Sequence, residues 1–132
     1  MTQEIHTLVI DWISYHRLLE ASGSTGNASG VGKQYFDSID QLDHIVRTDP
    51  EQGWEAIQRI FVSCESDFQR ACLAAGLLED LLASHGSDFV ARVEQLARSN
   101  AGFRELLGGV WRNAIDDAVW MRLQAALQGS VH

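Results

Sequence analysis

The chain has 132 residues and a mass of 14.7 kDa, with 45% hydrophobic and 21% charged residues, which fits one globular domain and excludes disorder along its whole length. Eighteen Asp and Glu against ten Lys and Arg give a formal net charge of -8, and the basic residues are scattered singly. Nucleic acid and anionic membrane surfaces, which need a basic stripe, are therefore not expected as partners.

The opening MTQEIHTLVIDW has no basic n-region, so no signal peptide is expected, and no apolar run is long enough for a membrane span. Ile5, Leu8, Val9, Trp12, Ile13 and Leu19 recur at steps of three and four, which predicts a helix over 3–20. The stretch from Ala21 to Lys33, ASGSTGNASGVGK, is too rich in Gly, Ser and Asn for a helix, and a flexible connection is expected over 21–33. Phe36, Ile39, Leu42 and Val46 mark a second helix. Asp49-Pro50 supplies an N-cap and a first-turn proline for a third, lined by Trp54, Ile57, Ile60 and Phe61.

Ser66 or Asp67 caps the next helix, which is expected to end near Gly76. LLEDLL then starts another that stops at His85-Gly86, where glycine is a natural C-terminal cap. Ser87 or Asp88 opens a further helix, and Asn100 caps one carrying Phe103, Leu106 and Leu107. Gly108-Gly109 interrupts the pattern. A last helix through Val119, Trp120 and Leu123 begins either at Val110 or at a fresh cap on Asp116. The reading is an all-α single domain over 1–132, a compact bundle or short repeat-like array of seven to eight short helices. The repeat option rests on Ser-Asp-Phe at both 66–68 and 87–89, which local capping preferences also explain.

Chemistry-bearing motifs are few. GVGKQ at 30–34 fails as a phosphate-binding loop: Asn27 stands where the first glycine belongs, and Gln34 replaces the hydroxyl residue. The histidines form no paired-ligand spacing, and Cys64 and Cys72 match no zinc pattern, so no metal and no cofactor are expected. The two cysteines read as reduced thiols of a cytoplasmic protein. Asp37, Asp40 and Asp43 repeat every three residues and read as a solvated helix face. Glu79-Asp80 differs, because leucines flank it on both sides, and a carboxylate held near a core needs partners. Arginines such as Arg104 or Arg112, or the start of a neighbouring helix, are the candidates. No G-x-S-x-G elbow or activated thiol is visible, and no catalytic residue is assigned. Trp12, Trp54, Trp111 and Trp120 read by default as core. One left exposed beside Arg112 would make an interface anchor, since Trp and Arg dominate binding hot spots.

On AGLLEDLLASHG at 75–86 and FRELLGGVW at 103–111, the chain resembles an uncharacterised family of short bacterial all-helical proteins, a domain of unknown function. DPEQGWEAI at 49–57 and Trp12 with Tyr15 add to the resemblance. The family core reads Gly-Pro-Leu-Glu-Asp-Leu-Leu followed by His-Gly, matched here at Gly76, Leu78, Glu79, Asp80, Leu81, Leu82, His85 and Gly86, with Leu77 in place of the proline. SNAG at 99–102 also departs from a commoner Asp-Pro cap. The resemblance implies kinship and carries no reaction.

The expected function is thus non-enzymatic binding of another protein with a basic face, an immunity- or antitoxin-like protein being one form, as monomer or homodimer. The polar cluster to examine is Glu79, Asp80, His85, Arg104, Trp111 and Arg112. A small-molecule binder or hydrolase using Glu79, Asp80 and His85 is the alternative, and a structural self-associating unit is a third.

Overall fold

The computed structural model describes residues 2–22 and 32–128, with side chains from Ile5 onward, and 23–31, most of the expected 21–33 connection, lies outside the described residues. Helix α1 (Thr2–Ala21) buries the stripe its spacing predicts: Ile5, Leu8, Val9, Trp12 and Ile13 all face the core. Each such side chain contributes on the order of 1.5–3 kcal/mol by leaving water, which fixes α1 against the rest of the bundle. A 3-10 turn (Lys33–Tyr35) leads into α2 (Phe36–Thr48), anchored by Leu42 and Val46.

Helix α3 (Pro50–Ser63) follows at once, with Pro50 in its first turn. The α2–α3 hairpin is tight because Gly53 lacks a side chain: a Cβ there would lie 2.8 Å from the Cα of Val46. The side chain of Ser66 accepts from the Gln69 N–H and starts α4 (Asp67–Leu73), while the Gln69 side chain, almost fully buried, accepts from the Glu65 N–H at 2.7 Å. This reciprocal arrangement satisfies donors that a helix start leaves open.

From there the chain departs from expectation. The break expected near Gly76 does not separate helices, whereas the one expected at His85-Gly86 is present as a kink between two helical halves of α5. α4 runs through a π-helical segment (Ala74–Leu78) directly into α5 (Glu79–Ser99), so 67–99 is one helical stretch broken only by a kink at His85. Gly76 widens the helix instead of ending it. His85 leaves helical geometry at φ -138°, ψ 30° and marks a kink within α5, and Gly86 then packs against Val119. The Asn100 side chain caps α6 (Ala101–Leu107) by accepting from the Phe103 N–H at 3.0 Å. α7 (Asp117–Gln128) begins after Asp116, whose carboxylate accepts from the Ala118 N–H at 3.1 Å. Of the two expected starts for the last helix, the fresh cap is the one formed.

The described residues therefore make six separate helical stretches, fewer than the seven to eight expected, packed as a compact all-helical bundle. Ser66 caps α4 and Ser87-Asp88-Phe89 follows directly on the His85 kink, so local helix starts account for both copies without a repeat. α1 packs on α2 and α3, and α5 is the central strut, touching α2 on one side and α6 and α7 on the other. Phe103 joins the layers, edge-on to both Trp54 and Phe61. A two-pronged pair from Arg122 to the largely buried Glu94 clamps α7 onto α5. No helix among the described residues is long and apolar enough to cross a membrane.

Candidate functional site

Glu79 is the first residue of α5, delivered by the π-helical segment, and its carboxylate turns toward the 108–116 connection. Its Oε1 accepts from the Trp111 N–H at 3.4 Å, and its Oε2 accepts from the Asn113 side-chain amide at 2.6 Å. The connection is pinned at both ends by buried Val110 and Ile115. Between them the Ile115 N–H donates to the Arg112 carbonyl at 2.7 Å, and Asn113 takes a positive φ of 35°. Asparagine is among the few side-chain-bearing residues that tolerate positive φ. The Arg112 guanidinium pairs with Asp117 in the first turn of α7.

These contacts hold the backbone and leave the Trp111 ring in solvent, 69% exposed. Trp12 and Trp54 are buried and Trp120 is half-buried, so the default core role fails for Trp111 alone. The reason is local: α6 ends at Leu107, and Trp111 falls in the connection rather than on a helix face. Met121 stands one turn beyond Asp117 and is 70% exposed, which sets a second large apolar group on the side of α7 that carries the Arg112 pair.

Asp80, next in sequence to Glu79, faces α2 instead. Burial pushes its carboxyl above the usual carboxylate range, Arg47 opposes that shift, and the charge of Glu79 adds to it. Asp43 on α2 is raised the same way, first by burial and then by the nearby charge of Asp80, again against Arg47. The row of Asp37, Asp40 and Asp43 is therefore not one solvated face: Asp37 and Asp40 are exposed, and Asp43 is half-buried toward α5. His85 closes this region, its Nε2 lying 2.7 Å from the Arg47 carbonyl. A carbonyl can only accept, so Nε2 carries the hydrogen and supplies a partner to the last turn of α2.

Arg104 lies elsewhere and donates to the Ala97 carbonyl at 3.1 Å, near the end of α5. The six expected residues thus fall in three places: Glu79 with Trp111 and Arg112, Asp80 with His85, and Arg104 apart. Neither arginine pairs with Glu79. Asn113, Asp117, Met121, Asp43 and Arg47 complete these neighbourhoods and were not singled out from sequence for them. Besides Gly108-Gly109, the Asn inside WRNAIDD is a local turn signal in this connection. Cys64 and Cys72 are free thiols, and burial raises both, Cys64 to about 11. Thiols so raised are poor nucleophiles at neutral pH. Among the described residues no group of three or more His, Cys, Asp or Glu side chains is placed to hold a metal ion.

No curated protein and no solved structure matches the chain. A family model does match, over residues 27–131, which takes in every residue of the three neighbourhoods and leaves α1 before it. The chain belongs to that family, a family of unknown function (DUF6869).

Proposed function

We propose that the chain is a non-enzymatic protein-binding domain whose contact surface is centred on Trp111, with Arg112 and Met121 beside it. The observation that carries this reading is an indole 69% exposed on a backbone held by Glu79, Val110 and Ile115. Exposing a tryptophan forfeits the burial energy that the fold extracts from Trp12 and Trp54, and a backbone already held in place loses little freedom on binding. Trp, Arg and Met are the residue types enriched in the centres of protein interfaces.

The net charge of -8 favours a partner with a basic face, because opposite charge speeds encounter and penalises like-charged competitors. An immunity- or antitoxin-like role is the concrete form this takes, and a toxin gene adjacent to this one would support it. Tagged protein purified from its native host tests the reading. One partner is expected in stoichiometric amount with the wild type and absent with Trp111→Ala. Absence of any stoichiometric partner, or its retention by Trp111→Ala, counts against the proposal.

A further inference from the structure

A groove of about 390 Å³ opens between the start of α1, the outer side of α2 and the entry to α3, built from residues that the Trp111 surface does not use. Ile5 and Ile45 supply its aliphatic lining, and Asp40, His44, Asp49 and Gln52 are among its polar lining. Among the described residues no lysine or arginine lines it. The charges along its edge are of one sign, and they differ in how far they are satisfied. Glu51, where the groove continues along α3, already binds Arg92 through a two-pronged pair at 2.8 Å. Asp40 and Asp49 have no such cation among the described residues. Asp49 even occupies the N-cap position of α3 without making a cap hydrogen bond, and lines the groove instead. An N-cap aspartate normally gains about 1 kcal/mol from that bond.

We propose that this groove is a docking site for a lysine- or arginine-bearing segment of a partner protein. Two carboxylates beside an aliphatic lining complement a side chain that lays an apolar stem on Ile5 and Ile45 and carries a cationic head to Asp40 and Asp49. The described lining supplies no lysine or arginine side chain, so such a head complements it. The volume lies within the range of sites that enclose a compact ligand or a short peptide stretch. The site does not depend on Trp111, and the variants below leave that surface intact.

The test uses the full chain and a fluorescein-labelled octapeptide of alternating arginine and leucine, followed by anisotropy at fixed ionic strength. Saturable one-to-one binding is expected. The double variant Asp40→Asn/Asp49→Asn should weaken it at least about tenfold, in line with loss of charge-assisted contacts. Asparagine is a good N-cap and Asp40 is exposed, so the variant keeps its fold, which circular dichroism checks. Glu105→Gln, an equal change of charge on exposed α6, should shift affinity less than about twofold under the same screening. Non-saturable binding, or equal weakening by Glu105→Gln, would overturn the proposal in favour of diffuse attraction to an acidic protein. Competition by spermidine as effective as by unlabelled peptide would overturn it in favour of a small-amine site.

Discussion

Glu79 and Asp80 are adjacent in the chain and serve opposite ends of the same problem. Glu79 is satisfied: it accepts two hydrogen bonds and by doing so fixes a connection that holds an aromatic ring in solvent. Asp80 is frustrated: it faces a second carboxylate across α2, and burial raises both despite Arg47. One helix start, reached through the π-helical segment before it, thus sends one carboxylate to the 108–116 connection and the next toward α2, where burial and the charge of Glu79 raise it. The difference separates a site that is organised from one that is only tolerated.

Breaking the satisfied side has the largest expected effect. Glu79→Ala leaves the Asn113 amide and the Trp111 N–H to water and should destabilise the fold by about 1–2 kcal/mol in urea unfolding, the penalty for removing a charged acceptor. It should also speed amide exchange at Trp111. If stability falls while exchange there is unchanged, Glu79 does not hold the loop. His85→Ala removes the donor to the Arg47 carbonyl and should cost about 1 kcal/mol by the same measurement.

Asp80→Asn should act in the other direction, and more weakly. Asp80 and Asp43 bind protons more tightly when folded, so the stability they contribute is present below the ordinary carboxylate range and lost as pH rises through their raised folded values. Asp80→Asn is therefore expected to stabilise near neutral pH, by well under about 1 kcal/mol because both groups remain partly solvated, and to lose that advantage in acid. Glu51 and Glu65 have the opposite sign. Their partners Arg92 and Arg17 hold them below the usual range, so what they contribute is lost as pH falls through those lowered values. Opposite slopes for Asp80→Asn and Glu65→Gln against pH would sharpen the contrast, and parallel slopes would break it. Trp111→Ala should change stability least, within about 0.5 kcal/mol, as for an exposed residue outside the core.

Much of the bundle was legible because its signals are local. The α1 stripe, Pro50 opening α3, and Asn100 and Asp116 as caps all follow from spacing and hydrogen-bonding chemistry within a few residues. Gly76 and His85-Gly86 were read as helix ends, and both do disturb the helix. What they produce, a widened turn and a kink, was decided by packing: Gly86 lies against Val119, and His85 reaches the end of α2, neither within reach of a local pattern. The embedded Glu79-Asp80 pair was visible as unusual, but its partners were not. Arginines or the start of a neighbouring helix are the expected partners for one of the pair, whereas Glu79 takes a backbone N–H and an asparagine amide from 32 and 34 residues away. The exposure of Trp111 depended on where α6 stops, which Gly108-Gly109 hinted at without settling the fate of the ring.

The central claim is that exposure alone does not make Trp111 a contact; the hold that Glu79 exerts on its backbone does. Val62 provides the comparison, being 77% exposed near the end of α3, its backbone in regular helix and with no side-chain hydrogen bond from another element among the described residues. A photo-crosslinking amino acid placed at 111 or at 62 in the native host measures the difference directly. Crosslinking of one protein at 111, lost when Glu79→Ala is added, with only background at 62, is the expected result. The same background pattern at both positions would contradict it.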